Sequence, residues 1–273
     1  MVVQVLISAV KAEPKELIEK MKVSSDAILI NQCDKNEFVS FFVQDAKGNN
    51  REVKAYSFCE RGVGLSRNNA LLRADKEISL FSDDDIVYVK DYEKRILEEF
   101  KEHPEADVLL FNVEVCKERR TYYHTDFHRV RWYNCGRYPA YAIAIKTEKM
   151  HNANLTFSLL FGGGAKYSNG EDSLFLRDCL KAGLKLYATD VVIGKEEPRE
   201  STWFSGYNKK FFYDRGVLYH YLYGAMAKIW GLRFLLKYKS SMCKEISFKK
   251  AYTYLNDGIY FAKHGKERRD GEA

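Results

Sequence analysis

The sequence predicts an α/β protein: a mainly parallel sheet flanked by helices, followed by a helical C-terminal extension. Apolar strand-like runs alternate with helix-like stretches over the first 115 residues, which is typical of a parallel sheet covered by helices. Hydrophobic residues make up 46% and charged residues 30% of the 273-residue chain, as in a folded protein with a sizeable core. Residues 205–273 carry 14 Lys and Arg against 6 Asp and Glu, a net charge of +8, whereas residues 1–204 carry −2.

The elements follow in order along a first domain that we place at residues 1–204. Short apolar runs predict strands at residues 2–7, 27–30, 38–43, 52–58, 78–81, 106–115, 140–145 and 184–193. Helical spacing of apolar residues and helix-start signals predict helices at residues 14–22, 65–74, 91–103 and 170–182. The remaining residues, 205–273, form the predicted extension.

Two features predict a cytoplasmic protein. The N-terminal residues pass directly into an apolar run, with neither the basic stretch nor the cleavage site of a signal peptide. The six cysteines are widely spaced and form no Cys-x-x-Cys pair. This spacing indicates neither a zinc site nor a disulfide framework, and it suits a reducing compartment.

Three consecutive aspartates, Asp83, Asp84 and Asp85, follow the apolar run at residues 78–81. Adjacent carboxylates repel one another and Asp is a poor strand former, so the arrangement is costly as packing. A divalent cation would offset that cost, because Mg²⁺ and Mn²⁺ prefer carboxylate oxygens. Ligands of open α/β sheets bind beyond the carboxyl ends of strands, where this triplet falls. Taken alone, the triplet is equally consistent with a solvated acidic turn.

Further candidates for chemistry lie on both sides of the triplet. Arg67, early in the preceding predicted helix, could pair with the acidic loop, bind a diphosphate, or simply face solvent. Gly162, Gly163 and Gly164 would let a substrate approach the backbone closely, at an entropic cost that a plain connector avoids. Asp172, near a helix start, is either a general base for an acceptor hydroxyl or an N-terminal charge favoured by the helix dipole.

Taken in order, these motifs resemble the family 2 glycosyltransferases, whose catalytic domain has the GT-A fold. The similar segments are Gly62-Val63-Gly64-Leu65-Ser66-Arg67-Asn68, Leu80-Phe81-Ser82-Asp83-Asp84-Asp85, Gly162-Gly163-Gly164-Ala165 and Gly170-Glu171-Asp172. Their order and the lengths between them match that family over residues 1–200. The resemblance implies a nucleoside-diphosphate sugar donor and a glycan or lipid-linked acceptor in surface polysaccharide synthesis.

The resemblance also implies a role for each site residue. Asp84 would be the main ligand of Mn²⁺ or Mg²⁺, with Asp83 near the metal or ribose and Asp85 in support. In an alternative alignment of the motif, shifted by one residue, Asp83 and Asp85 are the two functional aspartates. Asp172 would deprotonate the acceptor, giving inversion, while the metal stabilises the leaving diphosphate. The predicted donor-binding residues are Ser8, Asn31, Gln32, Arg61, Arg67 and Asp83, and the predicted acceptor-binding residues are Gly162, Gly163, Gly164 and Glu171.

The sequence departs from the family pattern at three places. Ser8-Ala9-Val10-Lys11 replaces the usual Pro-Thr-x-Asn-like end of the first strand, and Asn31-Gln32 stands where an Asp often contacts the base. Before Arg131-Trp132, His128 takes the place of the Gln in the Gln-x-x-Arg-Trp pattern of processive members. We therefore expect a non-processive enzyme that transfers one sugar.

The predicted extension interleaves aromatic and basic residues between residues 207 and 238. No uncharged apolar run in it reaches the ~20 residues needed to span a bilayer. An anionic membrane surface would suit these residues and a lipid-linked acceptor. A homodimer interface or packing on the core would use them as well. We expect no nucleic-acid partner, because no recognised motif accompanies the charge.

Two other classes of function use similar residues. A non-catalytic protein of the same fold would bind a nucleotide or glycan without turnover. A nucleotidyltransferase also uses aspartates and a metal, but it releases pyrophosphate rather than a nucleoside diphosphate. A glycosyltransferase is the reading that accounts for all of the motifs together.

Overall fold

The computed structural model describes residues 1–45, 47–116, 122–197 and 206–267. The chain divides into two compact units. The first comprises Met1–Leu159 and Glu171–Glu200, and the second comprises Leu160–Gly170 and Ser201–Ala273. The predicted domain boundary, between residues 204 and 205, lies outside the described residues.

The first unit is an α/β structure, as predicted. Its strands are β1 Val3–Val10, β2 Asp26–Gln32, β3 Glu37–Gln44, β4 Asn50–Phe58, β5 Ile78–Asp83, β6 Ile86–Tyr88, β7 Val108–Glu114, β8 His128–Val130, β9 Ile143–Lys146 and β10 Leu186–Glu196. Its helices are α1 Pro14–Lys20, α2 Val63–Arg73, α3 Tyr92–Glu102, α4 Thr147–Asn152 and α5 Glu171–Lys181.

All ten strands belong to one sheet, in the order β3-β4-β2-β1-β5-β9-β7-β10-β6, with β8 paired to β10 off this path. Strands β4, β2, β1 and β5 run parallel. Strand β9 enters antiparallel between β5 and β7, so the sheet is mixed beyond its parallel half. The register places Ser8 opposite Asp83 and Ala9 opposite Asn31, so the carboxyl ends of β1, β2 and β5 meet at one edge.

The strand predicted at residues 140–145 is only partly correct. Residues Ala140–Ala142 form a 3₁₀ turn, and β9 begins at Ile143. The backbone N–H of Ala142 donates to the carbonyl of Pro139 over 3.1 Å, which closes the turn before the strand starts. A short apolar run carries no sign of such a turn, because Ala140 and Ala142 in the turn are as buried as Ile143 in the strand.

The sheet buries side chains on both faces. On β1, Val5 and Ile7 join one apolar cluster, which includes residues of α1 and α3. Leu6, on the opposite face of the strand, joins a second cluster with residues of α2, α4 and α5. The near-continuous apolar run of β1 therefore reflects burial on both sides, as is usual for central parallel strands.

The second unit contains helices α6 Lys209–Tyr223, α7 Ala227–Met242 and α8 Phe248–His264, which confirms the predicted helical extension. Helices α6 and α8 cross at glycines. A Cβ on Gly216 would collide with the carbonyl oxygen of Leu255, and a Cβ on Gly258 with that of Tyr213. The two backbones therefore lie in close contact. Within the described ranges, no helix has both the length and the apolar character required to cross a membrane.

Candidate active site

The segment Gly62–Asn68 fixes the start of α2 against a loop that follows α4. Gly64 allows the approach, because a Cβ there would collide with the carbonyl oxygen of Ser158. The Asn68 side chain then pairs with the backbone of Phe157 in both directions, donating over 2.9 Å and accepting over 2.7 Å. These contacts position the residue between them in the motif, Arg67, at the carboxyl edge of the parallel strands.

Arg67 joins the acidic triplet to the Gly-Glu-Asp motif. One terminal nitrogen of its guanidinium donates to Oε1 of Glu171 and the other to Oδ1 of Asp83, each over 2.7 Å. The side chain is only 5% exposed, and its guanidinium lies 5.5 Å from the ring centroid of Phe157. The two acidic motifs, far apart in sequence, are therefore held at opposite ends of one buried cation.

The charge of Arg67 is secured by its partners. Burial alone would lower its pKa, but the carboxylates of Asp83 and Glu171 outweigh this effect and raise the pKa above its ordinary value. A buried cation that bridges two carboxylates strongly fixes their geometry, because loss of any one member leaves a buried charge uncompensated. Arg67 thus acts as a cross-link between the end of β5 and the start of α5.

Asp172 directly follows Glu171 in the first turn of α5 and is half-buried. Burial and then the neighbouring Glu171 carboxylate raise its pKa, Arg67 and Ser173 oppose the rise, and together they bring the pKa to about 7. Its Oδ1 accepts a hydrogen bond from the backbone N–H of Ser173 over 2.6 Å. A carboxylate with a pKa near neutrality is suited to accept a proton from a substrate hydroxyl at physiological pH.

The aspartate triplet lies where the sequence predicted, at the carboxyl end of β5. Oδ2 of Asp84 accepts from the backbone N–H of Val10 at 3.4 Å, and Asp85 is buried. Within the described ranges, no three or more His, Cys, Asp or Glu side chains form a ready metal cage. Mg²⁺ needs only one or two protein carboxylates where water and substrate phosphates fill its shell. The triplet therefore fits a divalent ion that binds together with a diphosphate.

Two predicted donor-binding residues at the ends of β1 and β2 are tied to neighbouring elements. The hydroxyl of Ser66 donates to Oγ of Ser8 over 3.0 Å, which links β1 to α2. The Asn31 side chain accepts from the backbone N–H of Ala12 over 3.0 Å and donates to its carbonyl over 2.9 Å. Asn31 thereby shapes the loop after β1, and direct contact of either residue with a donor stays a prediction.

Gln32 and Arg61 form hydrogen bonds that join the end of β2 to the loop before α2. Oε1 of Gln32 accepts from the backbone N–H of Gly62 over 2.7 Å, and the Gln32 carbonyl accepts from Arg61 over 2.6 Å. The Arg61 guanidinium is also 3.7 Å from a carboxylate oxygen of Asp34. These bonds hold the loop that leads into α2, and a donor-binding role for both residues stays a prediction.

The predicted acceptor-binding glycines and Glu171 belong to different units. Gly162 and Gly164 have φ angles of 103° and 80°, a region that favours glycine. The Gly162 N–H donates to the carbonyl of Tyr167 over 2.9 Å, so the glycines form the tip of a closed loop. Glu171 accepts a hydrogen bond from Arg67 in the first unit. An acceptor-binding role for these four residues stays a prediction.

Two aromatic residues near this site were not predicted from the sequence. Phe157 stacks on Phe175 with ring centroids 4.1 Å apart and supports Arg67 from one side. Burial, with negative charge nearby that includes Asp83, raises the pKa of the half-buried Tyr141 phenol. Neither residue stands out in the sequence, because an aromatic residue in an apolar or loop segment is most often part of a core.

Solved structures with the same fold support this architecture. S. aureus TarS 1-349, in complex with UDP-GlcNAc, superposes with a TM-score of 0.66 at 15% sequence identity, covering 96% of this chain and 81% of that chain. The mannosyltransferase PcManGT from Pyrobaculum calidifontis, in complex with GDP-Man and Mn²⁺, superposes with a TM-score of 0.54 at 12% identity, covering 97% and 88%. No curated protein sequence matches this chain.

A family profile settles the relationship more directly than these superpositions. The profile described as "Glycosyl transferase family 2" matches residues 17–167, more than half of the chain. The match includes the Gly62–Asn68 segment, the aspartate triplet and the three glycines. The chain therefore belongs to glycosyl transferase family 2 and is a glycosyltransferase with a GT-A-like fold.

Proposed function

We propose that this glycosyltransferase moves a single sugar, with inversion, from a nucleoside-diphosphate donor to an acceptor hydroxyl, and that it requires Mn²⁺ or Mg²⁺. The observation that carries the proposal is the Arg67 bridge. It holds Asp83, one of the candidate metal ligands, and Glu171, beside the candidate base Asp172. A donor diphosphate and an acceptor hydroxyl need these two kinds of group in one site.

The solved relatives support a nucleotide-sugar donor and a divalent ion. TarS is seen with UDP-GlcNAc and PcManGT with GDP-Man and Mn²⁺. For this chain we propose a UDP- or GDP-linked sugar and, as the acceptor, a glycan or lipid-linked molecule of a surface polysaccharide pathway. We further propose a cytoplasmic enzyme with a peripheral membrane association through the basic extension.

The proposed mechanism assigns the bond changes to the chain's own residues. The acceptor oxygen attacks the anomeric carbon, the bond from that carbon to the diphosphate oxygen breaks, and the acceptor proton passes to the Asp172 carboxylate. Asp84, with Asp83 or Asp85, would hold the metal, which when bound stabilises negative charge on the leaving diphosphate. Arg67 keeps Glu171 and Asp83 fixed while this charge develops.

The pKa of Asp172 suits the proton transfer. Burial and the adjacent Glu171 carboxylate make it a stronger base than an ordinary aspartate, and Arg67 limits the rise so that the group still ionises near neutral pH. Direct displacement with a base on the acceptor side inverts the configuration at the anomeric carbon. A retained configuration in the product would contradict this part of the proposal.

The deciding experiment compares Asp172→Asn with the parent in donor binding and in transfer. We expect donor affinity with Mn²⁺ to be retained and release of nucleoside diphosphate to fall by about 10²- to 10⁴-fold, the usual contribution of a general base. Asp178→Asn is the matched control, because this aspartate is on the same helix but pairs with Lys181 at the surface. Unchanged turnover in Asp172→Asn would refute the assignment.

The same assays separate the other classes of function. Donor binding without turnover in the parent would identify a binding protein, and release of pyrophosphate from a nucleoside triphosphate would identify a nucleotidyltransferase. A screen of nucleotide sugars by thermal shift with Mn²⁺ comes first, because it supplies the donor for these measurements.

A further inference from the structure

Helix α7 exposes a stripe of large apolar side chains. Ile229 is 65%, Leu232 37% and Leu236 60% exposed. Because an α-helix turns by about 100° per residue, these three positions lie along one face. The buried residues of the same helix, Ala227, Gly231 and Leu235, lie on a different face. The helix therefore has two apolar faces, and the described residues of the second unit cover only one of them.

Exposed cations border this stripe on both sides. By the helical repeat, Lys228 and Lys239 flank one edge, and Arg233 and Lys237 flank the other. All four side chains are exposed, and the Arg233 guanidinium lies 4.9 Å from the ring centroid of Trp230. No Asp or Glu occurs between residues 214 and 245. An apolar stripe bordered by cations, without acidic residues, matches a helix that lies in a membrane interface.

The charge pattern favours an anionic lipid surface over a second copy of the chain. In a two-fold dimer the same patch meets itself, so the four cations of one stripe would face those of the other. Such contact brings like charges together with no acidic partner on the helix. A lipid surface with anionic headgroups instead offers negative charge to the cations and acyl chains to the stripe.

We propose that the exposed face of α7 docks on an anionic membrane surface. Ile229, Leu232 and Leu236 enter the boundary between headgroups and acyl chains, and the flanking Lys and Arg side chains extend toward lipid phosphates. The docking depends on the second unit and not on sugar transfer. It specifies the surface and the lipid chemistry behind the peripheral association, and it can be tested without donor or acceptor.

The test is co-sedimentation of the full chain with vesicles of phosphatidylcholine, alone or mixed equally with phosphatidylglycerol. We expect binding only to the mixed vesicles, and its loss in 1 M salt, where charges are screened beyond about 3 Å. Arg233→Gln with Lys237→Gln should weaken partitioning roughly ten- to thirty-fold. Ile229→Gln with Leu236→Gln should weaken it at least about ten-fold, while Gln preserves helix propensity.

The matched control variants replace apolar residues and lysines outside α7 by glutamine. Leu72→Gln with Phe42→Gln replaces two apolar residues that are 77% and 66% exposed, and Lys94→Gln with Lys101→Gln removes two exposed cations of α3. Both controls should bind vesicles like the parent. An unchanged circular dichroism spectrum and melting temperature will show that the α7 variants remain folded.

Three results would overturn the proposal. The first is a parent protein that does not bind the mixed vesicles, and the second is a set of α7 variants that bind them as tightly as the controls do. The third result concerns self-association, measured by sedimentation velocity without lipid. If Ile229→Gln with Leu236→Gln dissociates an oligomer while vesicle binding stays unchanged, the stripe belongs to a second copy of the chain.

Discussion

Arg67 shows how one buried side chain sets both the geometry and the charge balance of this site. Its two hydrogen bonds reach carboxylates on different elements, and the adjacent Asp172 is affected by the same positive charge. Lysine at this position would keep the charge, but its single ammonium cannot match the two-pronged geometry of the guanidinium. Substitutions at Arg67 therefore separate the effect of charge from that of shape.

We predict that Arg67→Met destabilises the protein by about 3–5 kcal/mol, because it leaves the buried Glu171 carboxylate and the half-buried Asp83 carboxylate without their cation. It should also move the acidic limb of the pH–rate profile to higher pH, since Arg67 lowers the pKa of Asp172. Arg67→Lys should restore most of the parent's pH–rate profile but only part of its activity. Denaturant unfolding and pH–rate profiles measure the two effects.

Arg73→Met is the control for these variants. Arg73 lies on the same helix, is half-buried, and donates to Asn69 rather than to an acidic residue of the site. Its loss should leave the pH–rate profile in place. The same acidic limb in Arg67→Met as in the parent would show that Arg67 does not influence the base.

The raised pKa of Asp172 gives a second prediction at this scale. Transfer should fall with decreasing pH around an apparent pKa of about 7, because the protonated carboxyl cannot accept the acceptor's proton. A kcat profile with Mn²⁺ held saturating measures this limb. An acidic limb near pH 4, the ordinary value for an aspartate, would contradict the assignment.

The raised pKa of Asp172 also predicts an effect on stability. Ionisation of this carboxylate should favour activity but lower the stability of the fold. The folded-state pKa of Asp172 lies above its unfolded value, so the folded state binds more protons between about pH 4 and pH 7. Stability from this group therefore falls as pH rises through that window. Asp172→Asn should raise the melting temperature at pH 8, and the gain should disappear near pH 4. An equal effect at both pH values would exclude the linkage.

At the scale of elements, the contact between α2 and the loop at residues 157–158 determines where Arg67 lies. We predict that Gly64→Ala destabilises the protein by about 1–3 kcal/mol, because its methyl group meets the carbonyl of Ser158 and α2 must shift. Activity should fall more than stability alone explains, since the shift moves Arg67. Unfolding free energies and kcat/KM, both measured on folded protein, separate these effects.

Leu72→Ala is the matched substitution on the same helix. This residue is 77% exposed, so its truncation should change stability by less than about 0.5 kcal/mol and leave activity intact. If Gly64→Ala behaved like Leu72→Ala, the close approach of helix and loop would have no bearing on the site.

Elements with strong local signals were predictable from the sequence. The buried runs of β1, β2 and β5 and the helices α2, α3 and α5 were expected within a few residues of their positions. The end of β5 was also expected at its observed position, because the aspartate triplet follows an apolar run there. These features depend on neighbouring residues, and the sequence displays their periodicity directly.

Contacts between distant parts of the chain were not predictable. The antiparallel entry of β9 between β5 and β7 depends on pairing with strands at residues 78–83 and 108–114, and a single short apolar run does not encode its partner. The bond from Arg67 to Glu171 spans 104 positions. The sequence suggested a charged partner for Arg67 in the acidic loop but gave no sign of the second one.

On the scale of the whole molecule, charge and chemistry are divided along the chain. The carboxylates of the candidate active site lie in the first unit, whereas the net positive charge is carried by residues 205–273. Donor binding and membrane binding can both be measured on the full chain, the first by thermal shift and the second by co-sedimentation with vesicles.

We predict that a UDP- or GDP-sugar at about 100 times its Kd, with Mn²⁺, stabilises the fold by about 2.7 kcal/mol and raises the melting temperature by about 5–10 °C. Asp84→Ala should remove the part of this shift that depends on Mn²⁺, because its carboxylate is the proposed main ligand. A chelator added to the parent should have the same effect, and Asp178→Ala should retain the full shift.

The same measurement distinguishes the two possible sets of metal ligands in the triplet, Asp84 as the main ligand or Asp83 with Asp85. If Asp84→Ala keeps the Mn²⁺-dependent shift while Asp85→Ala loses it, the metal is held by Asp83 and Asp85 rather than by Asp84. Asp83→Ala alone cannot decide this, because it also removes a partner of Arg67 and will lower the melting temperature without any ligand. The donor-induced shift, taken relative to each variant's own ligand-free value, separates metal binding from that structural loss.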